Sequence, residues 1–216
     1  MKSIICFALL LIAAVCFVSA DQHCLDKQFT ASILLMDPKK HYDDFHKVYY
    51  DAALQQQRID IHEMDPQDKH VQVFLKHNIG KMYVYDESTR TCTSHPLQGK
   101  LPAFCLANNA TKVDQITIGG SLKADVWEEK VFGWNTRLIL AANTYIPINI
   151  LTKGGHLGNA IFEEWVDFTN YVSSPAVFNL PSPCLNLQDN KRGFDEVNGN
   201  LIEQINRLNS PFTKNL

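Results

Sequence analysis

The chain lacks the patterns by which most enzymes show themselves. It contains no G-x-S-x-G elbow, no P-loop and no H-E-x-x-H, the spacings that place a nucleophile, cradle a phosphate or hold a catalytic zinc. Gly154-Gly155-His156-Leu157-Gly158 lacks the G-x-G-x-x-G spacing and opens no helix, so it reads as a hairpin turn. C-x-x-C pairs and Cys/His clusters are missing, which excludes a structural zinc site. There is no basic stripe either: 23 Asp and Glu are interspersed with 20 Lys and Arg, so nucleic acid is not an expected partner. Beyond the first twenty residues no apolar run approaches the roughly 20 residues a helix needs to cross a bilayer. The C-terminus shows no lipidation or retention signal. Repeats, low-complexity tracts and long linkers are absent as well. These absences leave one domain that is not expected to be an enzyme and needs no cofactor.

What is present begins with the compartment. Lys2 gives a positive start, Ile4 to Val18 is almost unbroken apolar sequence, and Val18-Ser19-Ala20 supplies the small residues of a signal-peptidase site. Followed by polar Asp21-Gln22-His23, this predicts a secretory signal over residues 1–20 and a secreted domain over 21–216. Cleavage removes Cys6 and Cys16 and leaves Cys24, Cys92, Cys105 and Cys184. Four cysteines in an oxidising compartment predict two bridges, with three pairings open. Asn109-Ala110-Thr111 is the only N-glycosylation sequon and predicts a glycan on an exposed loop. His41 and His46 could meet a metal, but they read better as solvated surface residues. The acidic stretch Glu63 to Asp68 and the pairs Asp43-Asp44, Glu128-Glu129 and Glu163-Glu164 could serve a dispersed calcium site. None matches an EF-hand, and solvated acids are the plainer reading.

Most of the remainder alternates with period two. Phe29, Ala31, Ile33 and Leu35 form one such set, Ile59 and Ile61 another, then Val71, Val73 and Leu75, and Met82 with Val84. This spacing puts apolar side chains on one face of a strand. Ile116 and Ile118 run into the turn Gly119-Gly120, and strands are predicted at Leu122–Val126, Trp134–Ala142, Ile146–Leu151 and Ile161–Val172. No helix-length segment separates them, so the predicted fold class is mostly β, with antiparallel hairpins rather than βαβ crossovers. Phe194, Val197, Leu201, Ile205 and Leu208 line one helical face and predict an amphipathic tail from about residue 190. The second half is rich in large aromatics: Trp127, Phe132, Trp134, Tyr145, Phe162, Trp165, Phe168 and Tyr171. They either pack as an ordinary core or line a cavity for an apolar ligand, and core is their default use.

Several landmarks fall in the order of a known family. Tyr50-Asp51 precedes Gln57-Arg58-Ile59, and Tyr83-Val84-Tyr85-Asp86 leads to Thr91-Cys92-Thr93. The sequon precedes Ile116-Thr117-Ile118-Gly119-Gly120 and Val126-Trp127, and Phe178, Pro181 and Cys184 close the set. From about Cys24 to Cys184 the chain resembles the ependymin-related secreted glycoproteins. The resemblance implies two stacked antiparallel sheets around a hydrophobic pocket, as in bacterial lipoprotein carriers. It implies a homodimer, an optional calcium ion, and a secreted or, as a lesser alternative, lysosomal location. It shifts the aromatic strands towards pocket wall, making Trp127, Trp134, Tyr145, Phe162, Trp165 and Phe168 the candidate contacts for a lipid, fatty acid or other hydrophobic molecule. The alternative function is extracellular-matrix or cell adhesion through surface, glycan and calcium. The resemblance also implies a Cys92–Cys184 bridge. With that pair taken, Cys24–Cys105 is the expected second bridge, although the family's usual partner of the first cysteine is missing from Asn143-Thr144-Tyr145-Ile146-Pro147. The family's cysteine after the closing motif is missing too.

Overall fold

The structure, a computed structural model, describes residues 23–39, 42–64, 70–131, 134–154, 159–185 and 187. The expected signal, the amphipathic tail, His41, Phe132, most of the acidic stretch after Glu63 and the glycine turn at 155–158 lie outside the described residues. Eleven strands follow one another: β1 (Gln28–Asp37), β2 (Tyr42–Asp51), β3 (Gln56–Glu63), β4 (His70–Lys76), β5 (Lys81–Asp86), β6 (Thr91–Pro96), β7 (Thr111–Ile118), β8 (Leu122–Val131), β9 (Trp134–Ala141), β10 (Pro147–Gly154) and β11 (Asn159–Thr169). A short helix, α1 (Ser182–Leu185), closes the described part.

The strands are antiparallel throughout, as the alternation predicts. Where two sheets were expected, the ladder is a single sheet in the order β6-β5-β4-β3-β2-β1-β11-β10-β9-β8-β7. The two halves that the sequence suggests are joined at β1 and β11, where Ile33 pairs with Trp165 and Leu35 with Glu163. That pairing closes a long stretch of chain, which no local pattern announces. Within each half the strands follow a simple meander. Gly119 and Gly120, with φ of 56° and 78°, make the β7–β8 turn in the left-handed conformation that hairpins favour.

β6 and β7 are neighbours in sequence but lie on opposite edges of the sheet, so the segment 97–110 must cross its whole width. Ten strand spacings of about 4.8 Å make a flat sheet about 48 Å wide. A segment of that length reaches about 50 Å only when fully extended. This one contains a turn, with Ala110 N donating to Ala107 O. The sheet therefore curls, and the strap crosses its inner face.

The inner face is apolar across both halves. Phe29, Ala31, Ile33 and Leu35 of β1, Ile59 and Ile61 of β3, Val73 and Leu75 of β4, Leu138 and Leu140 of β9 and Ile150 of β10 are all buried in one cluster with Leu101, Phe104 and Leu106 of the strap. At about 25 cal/mol per Å², each of these side chains except the small Ala31 contributes roughly 1.5–3 kcal/mol when fully buried. A second cluster lies outside the sheet, where Phe74 and Tyr83 pack with Cys184. The closing segment covers that outer face, and Arg58 holds it there. Its Nη1 donates to Val177 O at 2.9 Å, and its guanidinium lies over the rings of Tyr49 and Phe74. Two bonds to the Asp60 carboxylate complete its contacts.

Candidate functional site

The strap makes the inner face into a site, and its tethers run the length of the segment. Leu97 N donates to Gly80 O at 2.9 Å, and His77 Nδ1 lies 3.0 Å from Gly99 O. Leu101 N donates to Gln55 Oε1 at 3.0 Å, and the Tyr50 hydroxyl to Pro102 O at 2.9 Å. Burial pushes that phenol up to about 12, with the nearby Asp51 charge acting in the same direction. Tyr50 thus stays a neutral donor. At the middle of the strap the Cys24–Cys105 disulfide sits between two backbone bonds, Leu25 N to Phe104 O and Leu106 N to His23 O, both 2.8 Å. Farther along, Ala107 N donates to Glu129 Oε2 at 3.1 Å and Asn109 Nδ2 to Lys130 O at 2.7 Å. Asn109 is exposed. The Cys92–Cys184 bridge ties β6 to α1, so both expected pairings are present.

Under the strap lies an aromatic group. The Phe104 ring meets Phe29 at 5.1 Å and Tyr50 at 5.0 Å, both edge-on, and Trp165 at 6.4 Å. Phe168 stacks on Phe29 at 5.5 Å. It reaches the inner face through a bulge: between the pairs Thr30–Thr169 and Ser32–Val166, β11 carries one extra residue, and Asp167 takes a φ of 51° there. Without that bulge Phe168 would share the outer face with Val166, since a one-residue slip reverses a strand's faces. A second group forms beside the disulfide, where His23 stacks on Tyr145 at 4.3 Å and Trp127 lies 5.7 Å from His23. Tyr145 has a φ of 56°, a strained value for a residue with a side chain.

The six predicted aromatics therefore separate. Trp165 and Phe168 join the group under the strap, and Trp127 and Tyr145 join the one at His23. Trp134 is half-buried at the far end of β9. Phe162 pairs with Met36 and Leu151 on the outer face, because the odd-numbered neighbours Ile161, Glu163 and Trp165 are the ones turned inward and buried. Phe29, Tyr50 and Phe104 are the residues that sequence reasoning missed. Phe29 and Tyr50 carried strand and motif signals that pointed to structure, while Phe104 lies in a segment with no period at all.

The inner face also carries polar groups. His46, Asp44 and Glu163 are buried on the central strands, with Asp44 and Glu163 flanking Leu35 in register. His46 Nε2 lies 3.3 Å from Asp44 Oδ2, and Trp165 Nε1 donates to Glu163 Oε2 at 3.2 Å. The reading of His46 as a solvated surface residue is thus corrected: it stands inward on β2, in the row that includes Ile33 and Ile61. Burial raises the Glu163 carboxyl to about 7, against the opposing Trp165 hydrogen bond. Burial likewise raises Glu129 to about 7, with the Ala107 N–H opposing. Among the described residues no group of three or more His, Cys, Asp or Glu is placed to hold a metal. No described helix is long and apolar enough to cross a membrane. A separate open cavity of about 430 Å³ beside Asn109 is lined by charged residues such as Glu128, Lys130 and Arg137.

Among solved structures, an uncharacterized conserved protein from Thermus thermophilus is similar, with 11% identity and a TM-score of 0.53, covering 73% of this chain and 88% of that one. The MucA/MucB complex of Pseudomonas aeruginosa matches with 10% identity and a TM-score of 0.46, over 72% of this chain and 56% of that one. A protein described as an outer membrane lipoprotein-sorting domain from Vibrio parahaemolyticus matches with 10% identity and a TM-score of 0.35, over 70% and 89%. No curated protein matches the sequence. The profile of the Ependymin family matches residues 65–184, more than half of the sequence, and the chain belongs to that family.

Proposed function

We propose that this protein is an extracellular carrier of a hydrophobic ligand, held between the curled sheet and the strap, and that it performs no catalytic step. The observation that carries the reading is the cover of the inner face: an eleven-stranded sheet is closed across that face by one tethered segment with three buried apolar side chains. A container closed by a strap can admit a ligand through local opening, whereas a sheet closed by a second packed layer opens only with its core. The family and the two disulfides fit an extracellular protein. Secretion through the 1–20 leader, a glycan on Asn109, a homodimer and calcium as a modulator belong to the same proposal.

The test uses the protein secreted from eukaryotic cells. Native mass spectrometry is expected to show a non-covalent apolar adduct that organic extraction removes. The extracted protein is expected to take up the neutral fluorophore diphenylhexatriene with saturation at one site. A secreted protein with no adduct and no saturable uptake overturns the carrier reading.

A further inference from the structure

The sequon residue stands at the wall of a cavity. Asn109, near the end of the strap, lines the open hollow of about 430 Å³ over β8, β9 and β10. The floor of that hollow follows from strand pairing. Glu128, Arg137 and Leu151 stand side by side on the three strands, and the next row on the same face is Lys130, Asn135 and Lys153. Both rows line the cavity. The alternate residues Trp127, Leu138 and Ile150 turn to the core instead, so these rows belong to the outer face, away from the aliphatic interior.

The residue types suit a sugar. Lys130 and Lys153 only donate, and the Asn135 amide both donates and accepts, which matches the hydroxyls and acetamide of an amino sugar. Glu128 is already paired: Arg137 Nε and Nη2 donate to its Oε1 at 3.0 and 2.5 Å. Leu151, half-buried between them and β11, offers one apolar spot for the C–H face of a ring.

The attachment point is fixed as well. Asn109 is exposed, and its Nδ2 donates to Lys130 O at 2.7 Å. Glycosylation from a diphosphate-activated oligosaccharide joins Nδ2 to the anomeric carbon, and one amide proton and the diphosphate leave. The other N–H remains for Lys130 O, which holds the first sugar at the β8 end of the Lys130–Asn135–Lys153 row. From β8 to β10 is two strand spacings, about 10 Å, a span that two linked sugar rings cover. A ligand tethered beside its site meets it at an effective concentration in the millimolar range, so individually weak contacts suffice.

We propose that the two N-acetylglucosamine rings at the root of an Asn109 glycan lie in this cavity and clamp the end of the strap to the outer face of β8, β9 and β10. The inference rests on the glycan of the proposed function and is independent of what the inner face carries.

The test is a thermodynamic cycle on protein secreted from eukaryotic cells: the parent, Asn109→Gln, the pair Asn135→Ala and Lys153→Ala, and all three together. Asn135 and Lys153 are exposed, so their loss alone costs the fold little. With the glycan present, the pair is expected to lower the midpoint of thermal unfolding by about 2–4 °C; in the Asn109→Gln background the shift is expected to stay below about 1 °C. The pair is also expected to speed release of the glycan from native protein by peptide N-glycosidase about fivefold or more, since protection is lost with the contacts. That second measurement needs only glycosylated protein and decides the matter even if Asn109→Gln is not secreted. Equal midpoint shifts in both backgrounds, or unchanged release, overturn the clamp while leaving the glycan and the carrier reading in place. A parent with no glycan by intact mass overturns the glycan and the clamp together, and diphenylhexatriene uptake still decides the carrier reading.

Discussion

Glu163 links stability to pH in a direction opposite to that of an ordinary surface carboxylate. Burial raises its pKa from 4.5 to about 7, so between those values the folded state holds a proton that the unfolded state has released. Stability then falls as pH rises across that window and is level above it. The difference corresponds to about 3 kcal/mol at pH 8, from roughly 1.4 kcal/mol per tenfold change in the proton equilibrium. His95 works the other way: burial lowers its pKa, so its contribution weakens as pH falls below the ordinary histidine value. Comparing Glu163→Gln with the parent cancels His95. The amide keeps an oxygen for Trp165 Nε1 and cannot ionise. Urea unfolding is expected to show the variant more stable than the parent at pH 8, by an amount of this order, and nearly equal at pH 4. Equal stability at both pH values would mean that water reaches Glu163 in the folded protein.

The strap and the closing segment are comparable elements, each pinned by one disulfide. Their sequence separations, 81 and 92 residues, are so alike that loop-closure entropy assigns both bridges about the same stabilisation, some 4–5 kcal/mol at the upper end. What differs is the face that each one guards. Replacing Cys24 and Cys105 by serine frees the strap over the inner face, while replacing Cys92 and Cys184 frees a segment on the outer face. Both pairs of substitutions are expected to lower the midpoint of unfolding similarly, but only the first should raise binding of the apolar dye anilinonaphthalene sulfonate under native conditions. Equal dye binding by both would show that the strap is held without its bridge. The sequence announced these elements unequally. The strands were legible because one buried face imposes period two, and the family landmarks proved structural. Tyr50 anchors the strap, Asp51 accepts Leu54 N in the β2–β3 turn, and Arg58 holds the closing segment. The strap itself was not legible, since a chain crossing a sheet pairs with different partners at each step and has no period. The inward Glu163 looked like a solvated acid because burial on β11 depends on which face the β1–β11 pairing turns inward.

At the scale of the whole molecule, the open order from β6 to β7 predicts a gradient of local stability. β1 lies farthest from both edges, with β2 and β11 on its two sides, so the amides of these central strands open only with much of the sheet. β6 ends the sheet on one side but is held by the disulfide to α1 and by Leu97 N to Gly80 O. β7 ends it on the other side, with β8 as its only strand neighbour among the described residues. Most of its residues are exposed, including Val113 at 51%. Such an edge presents unpaired backbone groups that template pairing with another chain. Hydrogen–deuterium exchange on dilute protein is expected to rank β1 and β11 slowest, β6 intermediate and β7 fastest. If β7 proves as protected as β1, its free edge is covered. A homodimer joined edge to edge through β7 would do that, and its protection should then fall on dilution together with the mass measured by light scattering. Protection of β7 that persists in a monomer would instead mean that its edge is paired within the chain, and would contradict the open-edged sheet.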